Sequence, residues 1–116
     1  MELANKHCEP CEGGTEPMGE DEAQDKLAEL NASEAGQKNP WAITANNRAL
    51  KKGYKLKNFV AAVEFVNQIK DVAEEENHHP DLEVGYGKVV VRLATHAIGG
   101  LSENDFILAA KIDQLA

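Results

Sequence analysis

The stretch from Asn58 to Pro80, NFVAAVEFVNQIKDVAEEENHHP, decides the fold. Its apolar residues fall at Phe59, Ala62, Val63, Val66, Ile69 and Ala73, steps of three and four that match an amphipathic helix. Asn58 is a suitable N-cap, and Pro80 disfavours helical geometry at His79, so the helix ends near the histidine pair. Glu74 then falls in the last turn, with His78 and His79 just beyond it.

On either side the period changes. Upstream, Trp41, Ile43 and Ala45 alternate with Ala42 and Thr44, and Asn46-Asn47 suits a tight turn. Leu50, Tyr54 and Leu56 then share one parity despite Gly53, which together predicts a β-hairpin. Downstream, Leu82, Val84 and Tyr86 read as a short strand, and Gly85 and Gly87 mark a turn or bulge. The strand that follows, Lys88 to Thr95, puts Val89, Val91, Leu93 and Thr95 on one face and Lys88, Val90, Arg92, Ala94 and His96 on the other.

Helices close both ends. Glu20 to Asn31 has an acidic first turn and a narrow stripe of Ala23, Leu27 and Leu30. After Gly99-Gly100, Ser102 and Asp105 have capping-box spacing and open a helix through Leu108, Ile112 and Leu115. Residues 32–39 read as a polar link, and residues 1–18, with Pro10, Gly13, Gly14 and Pro17, as an arm without regular structure. The order is α-ββ-α-ββ-α. It predicts an α+β two-layer sandwich over residues 19–116, with a four-stranded antiparallel sheet and helices packed on one face. A small sheet leaves edge strands to cover, so a homo-oligomer, dimer or tetramer, is expected.

The chain has 116 residues, enough for one modest core, and its apolar content of 42% fits a globular protein without a membrane span. The first residues lack the basic segment and apolar block of a secretory signal, so a cytoplasmic location is expected. A net charge of −8 argues against binding nucleic acid through its phosphates. The charge is unevenly placed: residues 40–57 hold Arg48, Lys51, Lys52, Lys55 and Lys57 and no acid. A solvated strand face is the favoured reading of that run, and a docking surface for an acidic partner the other. Cys8 and Cys11 have a CxxC spacing, but no second such pair completes a zinc site, so an ordinary arm is favoured over a metal or redox centre.

Three of the four histidines, His78, His79 and His96, lie in a segment with Glu74 and Asp105. Imidazole exchanges protons near neutrality, so a convergence of these groups points to acid–base chemistry. A three-histidine zinc site is an alternative. Singly, each residue also has an ordinary explanation: a helix-end charge, a loop residue, a strand end, a cap.

Glu74, three intervening residues, His78-His79-Pro80, Tyr86, nine intervening residues, His96 and then Asp105 together form a pattern that resembles the pterin-4a-carbinolamine dehydratases. The surrounding text from about Leu56 to Ile112, including Thr95-His96 and Gly99-Gly100-Leu101-Ser102, is similar to bacterial-type members. The resemblance implies dehydration of 4a-hydroxytetrahydropterin to quinonoid dihydropterin, which recycles the cofactor of aromatic amino-acid hydroxylases without metal or redox cofactor. It implies His78, His79 and His96 as catalytic residues, Asp105 and Glu74 as the groups that orient them, and Asn77 to His79 with Ala94, Thr95, His96 and Ala97 as the pterin-binding segments. It also implies an alternative, since some relatives act as non-catalytic binding modules: dimerisation cofactors in transcription or assembly factors. Departures are a missing aromatic near Leu82 and Ala97 where some members have an acid.

Overall fold

A computed structural model of the chain describes residues 2–8, 16–44 and 46–116. The elements in order are α1 (Glu2–Asn5), α2 (Glu20–Asn31), α3 (Glu34–Lys38), β1 (Ala42–Thr44), β2 (Ala49–Lys55), α4 (Phe59–Glu76), β3 (Asp81–Gly85), β4 (Lys88–Leu93), a 3-10 turn (His96–Ile98) and α5 (Glu103–Leu115). The two hairpins join through their second strands into an antiparallel sheet ordered β1-β2-β4-β3, so β2 and β4 are central. This is the expected α+β architecture.

The alternation of β2 and β4 builds one wall of the core. Leu50 and Tyr54 face inward with Val89, Val91 and Leu93, and α5 fills the space opposite with Phe106, Ile107, Leu108 and Ile112. Helix α5 is apolar around most of its circumference and is accordingly buried on nearly every side. Tyr54 packs edge-on between Trp41 and Phe65, at ring separations of 6.2 and 4.8 Å. Among the described residues no helix is long and apolar enough to cross a membrane.

Several local expectations are corrected. Residues 2–5 form a turn of helix that seats Leu3 in the core, where an irregular arm was expected. The 32–39 link contains α3, which has no apolar period. It is set by the Ser33 hydroxyl accepting the Gly36 N–H at 3.0 Å, and by Gly36 lying so close to α2 that a β-carbon would come within 2.5 Å of the Asn31 Cα. In α4, Phe59 and Val63 face outward and Phe65 turns inward beside Ala62, Ile69 and Ala73. Tyr86 lies in the β3–β4 turn, not in the strand, and is exposed. Asn46 and Asn47 have the positive φ expected of a tight turn, while Ala45 beside them lies outside the described residues.

The basic run divides. Lys51 and Lys55 are exposed, as expected of a solvated face, whereas Lys52 points into the core. Its ammonium lies 2.6 Å from Asp113 Oδ1. The same carboxylate accepts the Tyr54 O–H at 2.6 Å and the Trp41 indole N–H at 3.1 Å, so a charge-assisted network joins α5 to β2. Burial, together with the Asp113 charge and hydrogen bond, pushes the Tyr54 phenol far above its usual range, so the phenol keeps its proton and donates it in the hydrogen bond to Asp113.

Candidate active site

Helix α4 stops at Glu76 because Asn77 enters the left-handed region (φ 51°, ψ 42°), a conformation that asparagine tolerates better than most residues. The Asn77 N–H then bonds back to Glu74 O at 3.3 Å and the His78 N–H to Ala73 O at 3.1 Å. This sharp reversal sends the two adjacent imidazoles to different carboxylates. His78 Nε2 lies 2.6 Å from Asp105 Oδ1, and His79 Nε2 lies 2.5 Å from Glu74 Oε2, one turn back along α4. Pro80 then leads the chain into β3.

The two pairs differ in environment. Asp105 is fully buried and the His78 side chain retains 11% of its exposure, whereas His79 and Glu74 are both open to solvent. Asp105 serves two ends at once. Its Oδ1 faces His78, while Oδ2 accepts the Ser102 backbone N–H at 3.0 Å and the Thr95 hydroxyl at 2.9 Å. The helix cap expected from the Ser102 and Asp105 spacing therefore also aims the carboxylate at the histidine. As a carboxylate Asp105 only accepts, so the imidazole nitrogen facing it carries hydrogen and Nδ1 is the ring's remaining nitrogen.

His96 arrives from the other side. Beyond β4, Thr95 and Gly100 exchange two backbone hydrogen bonds, and Gly99, at φ 70°, closes the short loop between them. His96 sits at the start of this 3-10 turn, exposed, and among the described residues its ring has no hydrogen-bond partner.

These segments enclose a cleft of about 530 Å³ lined by Asn77, His78 and His79, by Ala94 to Ala97, and by Cys8, Glu75, Glu76 and Asn104. All seven residues expected to contact substrate lie along it, while Asp105 and Glu74 stand behind the imidazoles they hold.

Glu76 is the residue that sequence reasoning missed. Its side chain is buried and clasps the N-terminal arm: Oε1 accepts the Cys8 N–H at 2.7 Å and Oε2 meets the His7 ring at 2.9 Å, with Lys111 3.8 Å away. Burial alone would raise its pKa, but the Cys8 N–H, the His7 ring and Lys111 outweigh it and hold the carboxyl below the usual range. A signal was present, since Ile69, Ala73 and Glu76 continue the inner stripe of α4. The clasp sets Cys8 in the cleft wall, while Cys11 lies outside the described residues.

A small α+β sandwich thus brings three imidazoles to one cleft, two of them paired with carboxylates. The family described as pterin 4 alpha carbinolamine dehydratase matches residues 16–115, and the chain belongs to that family. A relative from Halorhodospira halophila, named provisionally as a pterin-4-alpha-carbinolamine dehydratase, is 44% identical over 115 residues, 99% of this chain and 98% of its own. One from Legionella pneumophila strain Corby, with the same provisional name, is 45% identical over 114 residues, 98% of this chain and 95% of its own. The crystal structure of a transcriptional coactivator/pterin dehydratase from Brucella melitensis superposes with a TM-score of 0.72 at 30% identity, covering 86% of this chain and 98% of that one.

Proposed function

We propose that the protein removes water from 4a-hydroxytetrahydropterin. In this reaction the C4a–O bond breaks and the hydroxyl leaves with an added proton as water. The N5–H proton is lost, and its electron pair forms the C4a=N5 double bond of the quinonoid dihydropterin. One group must donate a proton and another accept one, each contributing roughly 10²- to 10⁴-fold. The observation that carries the reading is His78, held at Nε2 by buried Asp105 in a cleft it shares with His79 and His96.

In this reading His78 takes the N5 proton at Nδ1 and His96 protonates the departing hydroxyl. His79, braced by Glu74, binds the pterin or relays protons. The segments Asn77 to His79 and Ala94 to Ala97 hold the pterin edge. The supplier of substrate is an aromatic amino-acid hydroxylase, and a second copy covers an edge strand, β1 or β3, to give a homodimer or homotetramer in the cytoplasm. Residues 19–116 act as one domain behind the arm.

The test is the decay of 4a-hydroxytetrahydropterin, followed by absorbance. Wild type accelerates it and His79→Ala is slower; both equally inert would remove the proposal. The coactivator name of the Brucella relative favours a second reading, a binding module on the same fold. That reading requires a specific partner to remain bound when all three cleft histidines are replaced.

A further inference from the structure

The chain has 12 lysines and arginines against 20 acids, so every cation could find a carboxylate. Half do. Lys6, Lys26, Lys38, Lys52, Lys70 and Lys111 each form an ion pair. Among the described residues the other six, Arg48, Lys51, Lys55, Lys57, Lys88 and Arg92, form none. The unpaired set is segregated: four of its members project from the two central strands, on the sheet face away from the helices.

The register makes this explicit. Lys51 stands directly opposite Arg92, and Lys55 directly opposite Lys88, with Gly53 and Val90 between the two pairs. The alternate positions Leu50, Lys52, Tyr54, Val89 and Val91 are buried, so these four cations share the outer face, and all four are exposed. Like charges directly opposite one another on a sheet are destabilising. The face keeps two such pairs about 13 Å apart, judged from the rise per residue of a strand. Asp81 and Glu83 flank them on β3, yet neither forms an ion pair with them.

We propose that the outer face of β2 and β4 is a docking surface for an acidic protein partner, one presenting spaced carboxylates on a single exposed segment. A second copy does not fit. Face-to-face contact would oppose the same cations, and head-to-tail contact with the acidic first turn of α2, Glu20 to Glu22, would propagate without closing. Nucleic acid fits poorly as well. A duplex carries about one charge per 1.7 Å and would meet a chain of net charge −8 with Asp81 and Glu83 along its path. No strand position on this face carries an aromatic ring on which a base could stack. Spaced carboxylates on a protein can pair with Lys51, Lys55, Lys88 and Arg92 while avoiding both acids, and the uncompensated charge would speed their encounter.

The experiment titrates the 15N-labelled full chain with an oligoglutamate peptide, and in parallel with a DNA duplex of equal formal charge, at low and at physiological salt. The peptide is expected to shift the amides of Lys51, Gly53, Lys55, Val90 and Arg92, with affinity falling as salt shortens the screening length. Combining Lys51→Glu with Arg92→Glu should weaken peptide binding at least about tenfold, and Lys70→Glu on α4 should leave it within about twofold. Lys51→Gln with Arg92→Gln provides the same test if charge reversal impairs folding. Dehydratase turnover should be unchanged in all three. Absent shifts, shifts centred on the helices, affinity unaffected by either double substitution, or tighter binding of the duplex than of the peptide would each overturn the proposal.

Discussion

Helix α5 carries two buried aspartates, Asp105 and Asp113, about two turns apart, and their surroundings differ in one respect. Asp113 accepts hydrogen bonds from Lys52, Tyr54 and Trp41, all three buried. None of these three partners lines the histidine cleft. Asp105 accepts from Ser102, Thr95 and the imidazole of His78, and that imidazole lines the cleft. Residue type and burial alone do not distinguish them. A carboxylate facing a fixed ammonium holds the fold together, while one facing an imidazole at the edge of a cleft fixes which ring nitrogen carries hydrogen.

The comparison breaks most readily at Asp113. Asp113→Ala leaves the Lys52 ammonium buried, with only the Trp41 and Tyr54 rings, 5.7 and 4.9 Å from it, as company. Chemical denaturation should show a loss of about 3–5 kcal/mol, with turnover per folded molecule unchanged. Tyr54→Phe removes one donor to the same carboxylate and should cost about 2 kcal/mol in the same measurement, again without altering turnover.

The smallest effect is expected at Glu76, whose clasp lies between these extremes, half structural and half at the cleft. Its folded pKa is depressed, so the stability it contributes is fully present above the unfolded carboxylate value of about 4.3 and is lost as pH falls through the lower folded value. The Cys8 amide resonance should therefore move toward its unfolded position on acidification below about pH 4. In Glu76→Gln that step should disappear, with a stability loss near neutrality of about 1 kcal/mol. An acid step of unchanged size in the variant would assign it to another group.

Much of this was legible in the sequence where the signal is local. The α4 period, Pro80 and the spacing from Ser102 to Asp105 place the histidine pair at a helix end and the aspartate at a helix start. The unread parts depend on partners distant in the chain. Lys52 looked like one more solvated lysine because its partner, Asp113, is 61 residues away. Helix α4 has two apolar stripes, and periodicity alone does not say that Phe65 packs on Tyr54 while Phe59 and Val63 remain exposed. α3 rests on one cap and one close approach of Gly36, neither of which leaves a periodic trace. Strand parity places His96 at a strand end, whereas the Thr95–Gly100 bridge folds it into a 3-10 turn.

The most direct test is kcat for 4a-hydroxytetrahydropterin dehydration by Asp105→Asn, measured beside Tyr54→Phe at a temperature where both are fully folded. An asparagine must give its single oxygen to the Ser102 N–H, which turns its NH2 toward His78 and forces the proton onto Nδ1, so that nitrogen can no longer accept one. Asp105→Asn should lose about 10²-fold or more, and Tyr54→Phe should turn over as wild type does. Wild-type turnover by Asp105→Asn would contradict it.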